Sequence, residues 1–385
     1  MKKRISAFLA LVMLFSCLIF ALPASAEEQE LPVISWFTAG MTAGEAKELS
    51  PAIKSFMRNG YILRDGTAIA SGDTVVTANG KYTAWVLGDV ACEGEVNQFS
   101  YILIKRHYMN TYTLNEQEAF SADINSDGVI DQFDYILAKR IYFGTFKLEK
   151  PTNSDGVPVL LYHHILPDEV KNTEKWRGNN ITIATSEFRR QMQMLKDGGY
   201  NVVTADEVVR YVRGEILLPD KSLMLCFDDG YRSNTYFAAP ILREFGFKAT
   251  VFAIISGYEG QYVEEFDYDS LQKITPADLE PNSDVIDQQC HTYSNHNHLP
   301  EQSYDQIKAD LALAQSVDKN RFFAYPYGDY NSVVINAVRD IGFEAAFSTV
   351  ERNAVPGDNL FEIPRYTVLS PWSDSQYRSL ISKAD

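Results

Sequence analysis

Asp228 and Asp229 are adjacent, precede Gly230, and directly follow the apolar run Leu223-Met224-Leu225-Cys226-Phe227. His291 follows the run Val285 to Cys290, with His296 and His298 close behind it. His163 and His164 end Val159-Leu160-Leu161-Tyr162, and Pro326-Tyr327-Gly328 follows Phe322 to Tyr325. Five of the six histidines, all but His107, thus sit at or just past the end of an apolar run. Two imidazoles and one carboxylate form a ligand set for Zn²⁺ or another divalent transition metal, with positions left for water and substrate. A second, adjacent carboxylate points elsewhere from a strand end and is free to accept a proton. This is a constellation for metal-assisted hydrolysis. A structural zinc site would more often be closed by four protein ligands richer in cysteine.

Those residues need strands that converge. Apolar runs at Val157–Tyr162, Asn201–Thr204, Ser222–Phe227, Ala249–Ile254, Asp284–Gln289, Arg321–Tyr325, Ala345–Thr349 and Glu362–Val368 alternate with helical stretches such as Ser186–Lys196 and Tyr304–Val317. Seven or eight β/α repeats predict an α/β barrel or a doubly wound sheet, and in a parallel barrel the carboxyl strand ends share one face.

The chain before this region is built differently. Lys2-Lys3-Arg4, the apolar run Ile5 to Leu22, Pro23 and Ala24-Ser25-Ala26 read as a secretory signal over residues 1–26. Removing it takes the formal charge from −16 to −19 by loss of those three basic residues, which excludes a nucleic-acid partner and suits a substrate that is neutral or becomes cationic. Three cysteines remain, too few for a disulfide scaffold, and Cys226 and Cys290 are expected as small buried side chains rather than a bridge. Residues 27–87 mix turn pairs with short β-type runs and predict a small β-rich module. Residues 88–148 hold a repeat at a 34-residue offset, in which Tyr101 to Arg106 realigns with Tyr135 to Arg140, each copy a loop followed by an amphipathic helix. The second loop places Asp123, Asn125, Asp127, Val129 (by its carbonyl), Asp131 and Asp134 at loop positions 1, 3, 5, 7, 9 and 12, with Gly128 at the sharp turn, a Ca²⁺ pattern. The first loop keeps Asp89, Glu93 and Gly94 but has Ala91 and Ser100 at positions 3 and 12, and is expected to bind Ca²⁺ poorly. Residues 149–156 form a polar linker to the domain at 157–385.

Two resemblances follow. The loop–helix pair resembles a type I dockerin, which implies an all-α Ca²⁺-binding module and a cohesin-bearing scaffold as partner, met by the helix faces around Lys105-Arg106 and Lys139-Arg140. Cys226 to Gly230, His291 to His296 and Phe323 to Gly328 resemble the motifs of the polysaccharide deacetylases (NodB homology, carbohydrate esterase family 4). The opening Val157 to Ile165 is similar to the biofilm poly-N-acetylglucosamine branch. That resemblance implies a distorted (β/α) barrel, Asp228 as general base, Asp229, His291 and His296 as metal ligands, and the Tyr327 N–H as oxyanion donor. The histidines are spaced H-x4-H where many members have H-x3-H, so His298 stands as an alternative second ligand. Ala324 occupies the position where many members carry an arginine that orients the catalytic aspartate; Arg365 is the candidate substitute, with a surface salt bridge as the competing reading. The usual C-terminal histidine motif has no counterpart, which leaves His163 as candidate general acid, with a structural histidine as the alternative. The implied activity is secreted, metal-dependent deacetylation of a β-linked N-acetylglucosamine polymer. The alternatives are an acetylxylan O-deacetylase attached to a scaffold and a catalytically impaired glycan-binding module.

Overall fold

The computed structural model describes residues 30–260 and 262–385; the signal expected at 1–26 lies outside them. The first sheet contains β1 (Val33–Thr38), β2 (Ile53–Arg58), β3 (Tyr61–Ile62), β4 (Thr74–Thr77) and β5 (Lys81–Leu87), in the order β1-β5-β4-β2-β3. β5 alternates, burying Tyr82, Ala84 and Val86 on one face, against Ile34, Phe37 and Phe56. Helix α1 (Ala43–Leu49) follows β1, opened by a Thr42–Glu45 capping box.

The repeat forms α2 (Gln98–Tyr108), α3 (Glu116–Ala122) and α4 (Gln132–Tyr142). Its duplication extends to individual contacts. Thr111 Oγ1 donates to Arg106 O at 3.0 Å, and Thr145 Oγ1 to Arg140 O at 3.1 Å. The Arg106 guanidinium lies 5.3 Å from the Tyr112 ring, and that of Arg140 5.4 Å from Phe146. Tyr101 packs on Tyr142 and Tyr108 on Tyr135, reciprocal pairs that relate the two helices by a local two-fold. Val90 and Ile104 of one copy and Ile124 and Ala138 of the other share one buried cluster, so neither unit buries its apolar face alone.

The third region is a parallel sheet of β6 (Val159–Tyr162), β9 (Asn201–Val203), β10 (Ser222–Phe227), β11 (Ala249–Ala253), β12 (Ile286–Cys290), β13 (Phe322–Ala324), β14 (Ala345–Phe347) and β15 (Tyr366–Thr367). Its order is β14-β13-β12-β11-β10-β6-β15, with β9 beside β10. Every residue of β10 is buried, because helices cover both faces of the sheet. Those helices include α7 (Thr185–Gly198), α8 (Ala205–Arg213), α9 (Ala239–Phe245), α11 (Tyr304–Val317), α12 (Ser332–Ile341) and α13 (Asp374–Ile381); three short helices, α5 (Asp168–Lys171), α6 (Glu174–Arg177) and α10 (Pro276–Leu279), lie in the connections. The strand pair β7 (His164–Leu166) and β8 (Thr182–Ala184) was not expected from the sequence, because three-residue strands carry too little periodicity to register. The sheet curls into a half barrel. Its seam is crossed by residues 360–367: Ile363 pairs with Phe347 of β14, and Tyr366 and Thr367 pair with β6.

The 149–156 segment is tied down, since Ser154 N donates to Leu218 O and Asn153 Nδ2 to Leu49 O. Trp36 Nε1 donates to Gly214 O at 3.2 Å and Tyr82 OH to Glu215 at 3.0 Å, joining the first sheet to the turn after α8. No helix among the described residues is long and apolar enough to cross a membrane.

Candidate active site and metal centre

The carboxyl ends of β6, β10, β12 and β13 deliver His163, Asp228-Asp229, His291 and Tyr327 to one face, as their positions past the apolar runs predict. Asp229 (φ 70°), Thr292 (φ 90°) and Tyr327 (φ 57°) all adopt left-handed backbone conformations there, a strain that persists only where the surroundings over-determine it. Gly230 follows at φ 61°, and a Cβ on it would lie 2.7 Å from that of Ala253, so only glycine lets the turn settle against β11.

Asp229, His291 and His296 bring one ligand atom each within 4.8 Å of one another. Asp229 Oδ1 lies 3.0 Å from His296 Nε2 and 3.6 Å from His291 Nε2. His291 Nδ1 is 2.8 Å from Ala324 O, so that nitrogen carries the proton and Nε2 presents its lone pair toward Asp229. Burial holds His291 down at about 4, and it is therefore neutral, as a ligand must be. Burial would raise the Asp229 carboxyl, but its bond to His296 and the charges around it hold it well below the usual range. The donor set fits a divalent transition metal.

The second-ligand question is answered by a residue that sequence reading did not single out. Residues 291–298 form a loop, and Asp310 on α11 accepts from the N–H groups of Tyr293, Ser294 and Asn295 at 2.8, 3.0 and 3.1 Å. This folds the loop so that His296 turns inward. His298 points away: it pairs with Asp329 at 2.5 Å and stacks on the Tyr327 ring at 4.4 Å.

Arg365 is fully buried and makes a two-pronged pair with Asp228, at 2.7 and 2.9 Å, while its Nε donates to Ser348 O at 2.8 Å. The surface-salt-bridge reading of this residue is overturned, because the seam crossing carries it into the barrel rather than to solvent. Burial by itself would raise the Asp228 carboxyl; the Arg365 charge and its hydrogen bonds overcome burial and hold the carboxyl below its ordinary value. His163 Nδ1 is buried with no hydrogen-bond partner among the described residues. Its imidazole is pushed down by burial against the pull of Asp228 and Asp229. Tyr327 is half exposed at the rim, its ring 4.9 Å from that of His296. Cys226 and Cys290 are free and buried, with Cys226 3.8 Å from the Arg365 guanidinium, so neither bridges nor joins the cluster.

The second loop of the repeat is turned by Gly128 at φ 84°. Asp123 accepts from Asp127 N and Gly128 N, and Asp127 from Val129 N. Asp131 accepts from Phe133 N, Asn125 Nδ2 donates to Asp127, and the buried Asp134 accepts from Ile124 N and Asp131 N. These oxygens hold the loop's own backbone, and among the described residues the grouping suited to a metal is the one at Asp229. In the first loop Asp89 is fully buried, one carboxylate oxygen accepting from Ser71 N and the other from Glu93 N of its own loop.

A parallel α/β half barrel thus presents paired aspartates and two imidazoles at its carboxyl strand ends, the face on which such folds carry their sites. Residues 217–346 match the model of the polysaccharide deacetylase family. YxkH of Bacillus subtilis, provisionally named a polysaccharide deacetylase, is 26% identical over 243 residues, which is 61% of this chain and 78% of that protein. The poly-β-1,6-N-acetyl-D-glucosamine N-deacetylase of Staphylococcus aureus is 26% identical over 221 residues, 54% of this chain and 73% of its own. Among solved structures, the Streptococcus pyogenes deacetylase PplD in complex with acetate superposes with a TM-score of 0.51 at 25% identity, covering 60% of this chain and all (100%) of that one.

Proposed function

We propose that this chain is a secreted, metal-dependent polysaccharide deacetylase acting on the N-acetyl groups of a β-linked N-acetylglucosamine polymer. The observation that carries the reading is the Arg365-clamped Asp228 set beside the Asp229–His291–His296 cluster on one barrel face. Zn²⁺ or another divalent transition metal held by those three residues would acidify water and polarise the acetyl carbonyl. Asp228, kept ionised by Arg365, takes the proton from the attacking water. Tyr327 offers its backbone N–H to the developing oxyanion. His163, neutral at rest because of burial, receives the proton that Asp228 has taken from water, is stabilised as imidazolium by the two carboxylates, and passes that proton to the departing nitrogen. The similarity to the S. aureus enzyme supports the choice of substrate.

Acetate release from poly-β-1,6-N-acetylglucosamine oligomers, chitooligosaccharides and acetylxylan, each with Zn²⁺ or Co²⁺, tests the reading. Release from none of them would overturn it. Preferential release from acetylxylan would favour the scaffold-attached O-deacetylase, a reading supported by the duplicated helix pair at 88–148. Glycan binding without turnover in the wild type would favour the impaired binding module. In the helix pair we assign Ca²⁺ to Asp123, Asn125, Asp127, Val129, Asp131 and Asp134, and a cohesin-type partner to the faces around Lys105-Arg106 and Lys139-Arg140.

A further inference from the structure

Asp229 can serve as a ligand only while its strained backbone keeps the carboxylate aimed at His291 and His296. The peptide on its N-terminal side belongs to the barrel, where Asp228 N donates to Tyr162 O at 3.0 Å. The peptide on its C-terminal side is held from another segment. Residues 272–274 run antiparallel to 230–232: Arg232 N donates to Gln272 O at 2.8 Å, Ile274 N donates to Gly230 O at 2.9 Å, and Tyr231 bridges Lys273. Within this strap one side chain reaches back to the ligand, Lys273, whose Nζ donates to Asp229 O at 2.9 Å.

The same ammonium lies 4.0 Å from the centroid of the buried Tyr231 ring. Asp229 is therefore gripped at its main-chain carbonyl by an ammonium that the Tyr231 ring holds in place. The close approach is built in: a Cβ on Gly257 would fall 2.5 Å from that of Lys273, so a glycine is what leaves the lysine room. Withdrawing an ammonium from water is costly unless its donors are used, and here a donor is spent on a residue whose backbone is strained.

We propose that Lys273 is a positioning residue, which with Tyr231 locks Asp229 in its ligand geometry before the metal binds. The inference rests on the metal-centre reading above. It acts through Asp229 and touches neither substrate nor ion.

The test compares the full chain with Lys273→Met, which keeps the stem and removes the ammonium. Three quantities are measured: Co²⁺ and Zn²⁺ affinity by titration calorimetry, the visible absorption of the Co²⁺-saturated protein, and melting of the metal-free protein. Positioning predicts metal affinity weaker by about 10- to 100-fold, as for other outer partners of metal ligands, and an altered Co²⁺ spectrum, with the metal-free melting curve nearly unchanged. Unchanged affinity, or a loss that merely follows a lowered melting temperature with a wild-type Co²⁺ spectrum, overturns it. Should Lys273→Met fail to fold, Tyr231→Leu, which removes the ring beneath the ammonium, carries the same expectation and the same refutation. A wild type that binds neither ion overturns the metal-centre reading instead, so the two failures are distinct.

Discussion

Replacing Arg365 by Met removes one half of a fully buried ion pair. Asp228 is 3% exposed and Arg365 0%, and both guanidinium nitrogens that face the carboxylate bond to it. Taking away one partner leaves a carboxylate with no counter-charge, a loss of about 3–5 kcal/mol in buried pairs. It also leaves Ser348 O without its donor, about 1–3 kcal/mol if nothing replaces it. The native Asp228 pKa lies below its unfolded value of about 3.9, so the pair's contribution is fully present above that value and fades as pH falls through the native pKa. In Arg365→Met burial acts unopposed, the Asp228 pKa rises, and lowering the pH relieves the variant rather than harming it. The acid limb of the kcat/KM profile therefore moves to higher pH, and activity at neutral pH falls by about 10²- to 10⁴-fold as the base is lost. Denaturant unfolding of Arg365→Met, Asp228→Asn and the double variant reads the coupling. The double variant should be less destabilised than the sum of the singles by about 1–3 kcal/mol. Additive losses together with an unmoved acid limb would refute the account of Arg365 as the group that keeps Asp228 ionised.

Three further expectations concern individual residues. His291→Ala or His296→Ala should abolish stoichiometric Zn²⁺ in metal analysis, whereas His298→Ala retains it, because His298 is committed to Asp329 and Tyr327. His163→Gln should lower kcat by about 10²- to 10⁴-fold with metal content and KM preserved, the pattern of a lost proton-transfer group; an unchanged kcat returns it to a structural role. Ca²⁺ at about 100 times its dissociation constant should stabilise the 88–148 pair by about 2.7 kcal/mol in calorimetry, and Asp127→Ala should abolish that gain.

Much of the site was legible because its residues are local to strand ends. An apolar run followed by Asp-Asp-Gly, or by His, fixes both the strand and the face its last residues reach, since side-chain alternation and parallel order act within a few residues. The 34-residue repeat was legible for a similar reason: each loop and helix folds on its own contacts, down to matched threonine and arginine bonds. Arg365 was a candidate with no assured place. It lies 137 residues from Asp228, and only the seam crossing, in which one segment pairs with β14 and then with β6, turns it inward. His296 and His298 are equivalent by residue type and nearly so by spacing; Asp310, on the following helix, decides between them by folding the loop. Lys273 carried no signal, because a lysine in a polar stretch reads as solvated until its partner's backbone is known. The sequence alone determined which chemistry is present and which elements bear it, because those are matters of residue type and short-range periodicity. Tertiary structure decided which charges meet, because pairing across the barrel depends on loop closure and burial that no local pattern encodes.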